Sequence, residues 1–194
     1  MDVLLSPHAK IGSSGCYKGG VESKPRIGIS ACLLGEEVRY DGGHKRNAFL
    51  TEILGPYVEW VPVCPEVELG LGTPRPPIQL ERRRGAIRLV MPSTGRDLTS
   101  SMREYAERRV AELARLDLDG YILKSKSPSC GMEAVKVYAA AGVASPEGRG
   151  LFAEALMSRL PELPVEEEGR LEDPRLRESF VQRVFARHRG RAAT

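Results

Sequence analysis

The sequence predicts a single α/β domain with a mainly parallel, Rossmann-like sheet, flanking helices and a small β-ribbon. Short apolar runs rich in β-branched residues alternate with segments of helical periodicity, which is typical of this fold class. The 194 residues, 41% of them hydrophobic, can bury one substantial core but are too few for two ordinary domains. Three of the apolar runs are also followed by a cysteine, directly or in the next loop, which indicates that these strands carry a site at their carboxyl ends.

The chain divides into three predicted parts. Residues 1–25 are rich in Gly, Ser and Lys without sustained periodicity, so we expect a flexible lead-in. Residues 26–170 hold the domain, and residues 171–194 form a helix with a basic tail. Cys16 lies in the lead-in, where the preferred interpretation is an exposed thiol without a role in the site.

The sequence of the first half of the domain predicts two parallel strands joined by a helix. Residues 27–31 form the first strand, and residues 49–54 carry a helical apolar stripe that ends before Pro56. A second strand follows at 58–63, and the right-handed crossover rule makes it parallel to the first.

The middle of the domain predicts a loop and a ribbon. Prolines and glycines make residues 66–77 irregular, and such a loop directly after a strand is often functional. Residues 78–80 and 86–91 alternate around Arg82–Arg84, which predicts a two-stranded ribbon with a basic tip.

The second half begins with the most clearly periodic helix, at about 100–116. Ser101 and Glu104 fit a capping box at its start. Asp173-Pro174 is a typical start for the last helix. The other predicted elements are a strand at 120–124, a short extension at 134–138, a helix over 151–160 and a short strand at 164–166.

Net charge, the length of the apolar runs and the number of cysteines limit the partners, the location and the chemistry expected for this protein. The formal charge of +3 permits a phosphate-bearing partner without requiring one. No apolar run is long enough to span a bilayer, and the amino terminus lacks a secretory pattern, so we expect a cytoplasmic protein without a membrane partner. Four scattered cysteines do not form a disulfide framework, which favours thiol or metal chemistry.

Cys32, Cys64 and Cys130 each follow a predicted strand. If the three strands are neighbours in one parallel sheet, the thiols meet at one edge. Three thiolates suit a soft metal or an iron–sulfur cluster and leave one coordination position open. A structural alternative also stands, because buried cysteines are common in strands and no close Cys pair gives a zinc-finger or ferredoxin spacing. Glu66, two residues after Cys64 in an extended segment, would face the same cavity.

Polar residues near these strands have competing interpretations. His44 is predicted as a loop residue bonded to the backbone, and Asp41 before two glycines is first a turn residue. The Arg82–Arg84 run is either a solvated surface or, with Arg75, Arg88 and the tail arginines, part of a phosphate or RNA footprint.

Several motifs together resemble the TudS-like thiouracil desulfidases, a family formerly called a domain of unknown function. The resemblance covers roughly residues 26–165. It rests on Ser30–Gly35, Val38–Gly42, Pro62–Glu66, Pro74–Pro77 and Lys124–Gly131.

The resemblance implies a [4Fe-4S] cluster held by Cys32, Cys64 and Cys130, with one iron free to bind the sulfur of a thiolated uracil. It implies a catalytic carboxylate at Glu66 and a catalytic serine at either Ser127 or Ser129. The substrate-binding candidates within the motifs are Ser30, Asp41 and Arg75.

Residues 132–138 and 163–171 resemble the branch in which this domain is fused to a carboxyl-terminal domain and acts on 4-thiouridine in tRNA. Here the chain ends soon after residue 185, where such a domain would begin. The expected reaction is hydrolytic desulfurisation of a thiolated uracil, as free base, nucleotide or tRNA residue, with release of sulfide and uracil. The rival hypothesis is a non-catalytic module that binds RNA, a cluster or structural zinc.

Overall fold

The computed structural model describes residues 23–139 and 142–192. Most of the predicted lead-in, including Cys16, lies outside these residues. Nine strands are described: β1 Arg26–Ser30, β2 Glu59–Val63, β3 Gln79–Arg83, β4 Ala86–Met91, β5 Arg96–Asp97, β6 Gly120–Leu123, β7 Val135–Tyr138, β8 Ala144–Gly148 and β9 Val165–Glu167.

Four α-helices accompany the strands: α1 Pro65–Glu68, α2 Thr99–Leu113, α3 Leu151–Arg159 and α4 Pro174–Ala192. The segment predicted as the first helix is a π-helix, Phe49–Leu54. Short 3-10 turns lie at Ala31–Leu34, Gly55–Tyr57, Ala114–Leu116 and Arg170–Glu172. Among the described residues, no helix combines the length and the apolar character needed to cross a membrane.

The first sheet contains four parallel strands in the order β2-β1-β6-β9. Ile27 of β1 pairs with Trp60 on one side and Gly120 on the other. The three strands that precede the cysteines are therefore direct neighbours, and their carboxyl ends share one edge. This confirms the predicted parallel α/β architecture.

The predicted ribbon is the centre of a second sheet, with the order β5-β4-β3-β7-β8. β3 and β4 pair antiparallel as predicted, and β7 adds parallel to β3. Residues 134–138, predicted as a short extension after the Cys130 loop, thus belong to this sheet. β5 and β8 were not predicted: β5 has two residues, and β8, with the sequence ASPEG, lacks the apolar alternation of a half-buried strand.

The core lies on both faces of the first sheet. On one face, α2, α3 and the second sheet surround the buried rings of Tyr121 and Phe152. On the other face, Phe180 and Val184 of α4 pack with Ile27 and Ile122. Helices on both faces are the usual covering of a parallel sheet.

The capping box predicted at Ser101 and Glu104 is wrong. α2 begins at Thr99, whose N–H donates a 2.9 Å hydrogen bond to the carboxylate of Asp97. The acceptor for the first turn thus comes from upstream of the predicted start, and Ser101 and Glu104 lie inside the helix.

Candidate functional site

The structure brings Cys32, Cys64 and Cys130 to a single cavity of about 960 Å³ at the carboxyl edge of the first sheet. Cys32 lies in the 3-10 turn after β1, Cys64 lies between β2 and α1, and Cys130 lies in the loop after β6. All three thiols are free. The strand order produces this convergence, because each cysteine follows one of three adjacent parallel strands.

Burial suppresses ionisation of these thiols. Burial first, and then the neighbouring Cys64, raise the pKa of Cys32 to about 11, against the opposing effect of Lys124. Burial also raises the pKa values of Cys64 and Cys130. Three thiols that line one cavity repel one another as thiolates, so they ionise together only when a positively charged group lies between them. A thiophilic metal group supplies that charge.

The three thiols line one cavity. Within 23–139 and 142–192, no group of three or more His, Cys, Asp or Glu side chains is arranged to hold a metal ion. Cysteine thiolates are the usual ligands of iron–sulfur clusters, so the donor set fits such a cluster.

Glu66, in the first turn of α1, has both carboxylate oxygens fixed. Arg75 donates to Oε2 from Nη2 at 2.7 Å and from Nε at 3.0 Å. Ser129 Oγ donates to Oε1 at 2.8 Å. The Arg75 side chain is 3% exposed and that of Glu66 is 13% exposed, so the pair is shielded from bulk water while the carboxylate lines the cavity.

The two serine candidates occupy successive places in one hydrogen-bonded chain. Ser129, which is 1% exposed, contacts Glu66 directly, and its Oγ lies 3.0 Å from Ser127 Oγ. Ser127 Oγ also accepts from the N–H groups of Ser129 and Cys130, at 3.3 and 3.1 Å. Ser129 therefore bonds to the carboxylate, whereas Ser127 also shapes the turn that carries Cys130.

Two of the three substrate-binding candidates, Ser30 and Arg75, line the cavity. Ser30 Oγ accepts from Lys124 N–H at 2.9 Å, which joins the ends of β1 and β6. Asp41 is exposed and is not part of the cavity lining; its carboxylate accepts from Arg39 Nε and Nη2 at 3.2 and 3.1 Å. Arg39, not Asp41, reaches the cavity.

Sequence reasoning missed a set of cationic side chains around the cavity. Single arginines and lysines in polar loops resemble ordinary surface residues, so nothing in the sequence distinguishes them. Lys124 pairs with Glu168. The cationic residues that line the cavity, in addition to Arg75, are Arg39, Lys45, Lys124, Lys126 and Lys136.

The structure separates the arginines of the predicted RNA footprint. Arg75 lies inside the cavity, while Arg187 and Arg191 lie at the opposite, amino edge of the sheet. Arg187 donates there to Leu118 O, and Arg191 pairs with the buried Asp119 before β6. These groups do not form one continuous patch.

His44 has the loop role predicted for it. Its Nδ1 accepts a hydrogen bond from Arg46 N–H at 3.2 Å, and the side chain does not line the cavity.

Comparisons with known proteins bear on the family and the fold of the chain. A family model described as 2-thiouracil desulfurase matches residues 27–168, which include all the residues that line the cavity. The uncharacterized protein YbbK of Bacillus subtilis (strain 168) is 32% identical over 108 residues, covering 53% of this chain and 71% of that protein. The solved structure of the [4Fe-4S]-dependent thiouracil desulfidase TudS is 34% identical, with a TM-score of 0.63 over 82% of this chain and 99% of that one.

Proposed function

Because the chain belongs to the 2-thiouracil desulfurase family, we propose that it is a [4Fe-4S]-dependent desulfidase that removes sulfur from a thiolated uracil. The observation that carries this proposal is the meeting of three free thiols with a buried carboxylate in one cavity. Cys32, Cys64 and Cys130 hold the cluster. When bound, the cluster supplies a soft Lewis acid that binds a thiocarbonyl sulfur and polarises the C–S bond.

Glu66 is the general base. Its carboxylate lines the cavity, and the Arg75 guanidinium holds it in one orientation. It takes a proton from a water molecule as the water oxygen forms a bond to the carbon that carries sulfur. Glu66 then gives its proton to the sulfur, the C–S bond breaks and sulfur leaves as hydrosulfide with the bonding electron pair, and the added hydroxyl loses its proton to water as the carbonyl forms. One water is consumed, one sulfide and one uracil are released, and no net electron transfer occurs.

The serines position the carboxylate and the substrate ring. Ser129 donates to Glu66 Oε1, so the hydroxyl fixes the oxygen that receives the proton. Ser127 is less buried and lines the cavity beside Ser129, where its hydroxyl can orient the base of the substrate.

Three lysines favour a nucleotide substrate over a free base. Lys45, Lys126 and Lys136 are exposed and line the cavity. Within the described part of the chain, none of the three ammonium groups pairs with a carboxylate, whereas Lys124 and Arg75 do. Unpaired ammonium groups beside a cavity are suitable partners for a phosphate, so the substrate we infer is a thiouridine nucleotide.

The central test is anaerobic reconstitution with iron and sulfide, followed by sulfide-release assays on free 2- and 4-thiouracil, their nucleoside monophosphates and thiolated tRNA. We expect turnover that depends on the cluster and is fastest with a monophosphate. Glu66→Gln should keep the cluster and lose about 10²–10⁴-fold in kcat, the usual contribution of a general base. Cluster binding without sulfide release from any substrate would instead support the non-catalytic module.

The lysines have their own test. Replacing Lys45, Lys126 or Lys136 by Ala should raise KM for the monophosphate by up to about tenfold each and leave KM for the free base unchanged. Lys24→Ala is the matched control, because Lys24 is exposed just before β1, at the other edge of the sheet. Equal effects on both substrates would contradict a phosphate site.

A further inference from the structure

The loop that follows β6 carries Ser127, Ser129 and Cys130, and its ends are bonded to two consecutive glutamates, the last residue of β9 and the residue after it. We propose that Glu167 and Glu168 are positioning residues that hold this loop at two points and so set the location of the third cluster ligand. The expected effect on catalysis rests on the proposed function, whereas the hydrogen bonds that hold the loop do not depend on it.

Glu168 holds the start of the loop. Its Oε2 accepts from the N–H of Ser125 at 2.7 Å, and its Oε1 accepts from Ser125 Oγ at 2.7 Å. Oε1 also pairs with the ammonium group of Lys124, which lines the cavity. One carboxylate thus fixes the backbone at the loop entrance and a cation that faces the site.

Glu167 holds the end of the loop. Its Oε1 accepts from the N–H of Met132 at 2.6 Å, and the residue is only 5% exposed. Between the two anchor points, Gly131 N–H donates to Ser127 O at 2.8 Å, which closes the turn internally. The loop is therefore tied at Ser125, across its turn and at Met132.

The register of the sheet explains why β9 can do this. β9 lies parallel to β6, with Leu123 opposite Glu167. Residues that follow Leu123 therefore leave the sheet beside the end of β9, where the two carboxylates lie. Glu168 N–H donates back to Leu123 O at 3.2 Å, which fixes the two strand ends to each other.

The third glutamate of the run provides a matched control. Glu166 is also buried, but its carboxylate pairs with Arg170 at 2.7 Å and makes no hydrogen bond to the loop among the described residues. Replacing Glu166 removes the same charge from the same strand without touching residues 125–132.

The experiment compares Glu167→Ala, Glu168→Ala, the two Gln variants and Glu166→Gln, each as the cluster-loaded protein. Amide hydrogen exchange is measured over residues 124–133, together with the rate of cluster loss to a chelator and the split between kcat and KM. A Gln side chain keeps an acceptor oxygen, so the Gln variants should restore much of what Ala loses.

We expect each Ala variant to speed exchange in this loop and cluster loss by about tenfold, with lower kcat at nearly unchanged KM, while Glu166→Gln leaves the loop unchanged. Unchanged exchange and retention in folded Ala variants would overturn the proposal. If an Ala variant does not fold, the proposal is tested by amide hydrogen exchange of the wild-type protein. The Ser125 and Met132 amides must then exchange slowly, and fast exchange would contradict the proposal. If the wild-type loop exchanges its amide hydrogens slowly but the protein has no desulfidase activity, the proposed function is wrong and the proposal that the two glutamates hold the loop still stands.

Discussion

Ser129 Oγ donates a 2.8 Å hydrogen bond to Glu66 Oε1, which joins the loop after β6 to the helix after β2. The same carboxylate accepts two bonds from Arg75 through its other oxygen. The catalytic candidates are therefore one connected unit, in which a change at one residue displaces the others. That connection lets the roles of the two serines be separated by experiment.

Ser129→Ala should lower kcat by about 10–100-fold and leave stability nearly unchanged. The variant removes the donor to Glu66, but this carboxylate lines the cavity, where a water molecule can replace the lost hydrogen bond. Turnover and thermal unfolding of the cluster-loaded protein provide the two measurements.

Ser127→Ala should mainly affect stability. It leaves the N–H groups of Ser129 and Cys130 without their acceptor, which costs about 1–3 kcal/mol and lowers Tm by roughly 2–4 °C per kcal/mol. If Ser127→Ala instead abolishes turnover at unchanged Tm, the catalytic serine is Ser127.

Arg75→Met should destabilise the protein by about 3–5 kcal/mol, because it leaves a largely buried carboxylate at Glu66 without its cation. The double variant with Glu66→Gln should recover part of this loss, since no unpaired charge remains. Denaturant unfolding of both variants measures the difference.

Arg82→Met is the control for Arg75→Met. It breaks an exposed pair with Glu147, which should cost less than about 1 kcal/mol. Equal losses for the two arginine variants would mean that burial of the Arg75–Glu66 pair has no energetic consequence.

The parallel sheet and the meeting of the cysteines were predictable because they depend on local patterns. Apolar runs identified the three strands, and the crossover rule fixed their direction, so Cys32, Cys64 and Cys130 had to follow strand ends. The helix start at Thr99 was missed because the sequence offers two possible acceptors for the first N–H groups of the helix. The capping-box pattern favoured Ser101, but the carboxylate of Asp97 is the acceptor in the structure.

The remaining features of the site depend on contacts between distant segments. The sequence places Ser127 and Ser129 two residues apart in one motif, and only the contact with Glu66, 63 residues away, distinguishes them. The role of Glu167 and Glu168 was similarly hidden, because a run of acidic residues has the composition of a solvated surface. Their bonds to the Cys130 loop arise from strand register.

Gly150→Ala should disturb the site from the start of α3. A Cβ at Gly150 would lie 2.4 Å from the carbonyl oxygen of Ser129 and 2.7 Å from Cys130 N. Because both contacts are with backbone, the helix or the loop must shift, which should cost about 1–3 kcal/mol and lower kcat. Unfolding and turnover are measured together.

Gly190→Ala is the control for that substitution. Among the described residues, apart from its chain neighbours and its own helix backbone, nothing lies within 4 Å of a Cβ built at Gly190 in α4, so the change should be neutral or stabilise the helix by up to about 1 kcal/mol. If Gly150→Ala behaves like Gly190→Ala, close packing of α3 on the serine loop does not constrain the site.

Removal of any one of Cys32, Cys64 and Cys130 should abolish stable cluster binding. Serine is a harder and less acidic ligand than cysteine, and the cavity supplies no fourth thiol among the described residues to replace the lost one. Anaerobically reconstituted wild-type protein should contain about four irons per chain, and each Cys→Ser variant far fewer. Cys16→Ser, outside the motifs, should match the wild type.

A chelator should remove iron and activity together, and iron with sulfide should restore both. A colourless protein with one bound zinc that survives these substitutions would exclude the cluster, because the bound metal would then not depend on the three thiols.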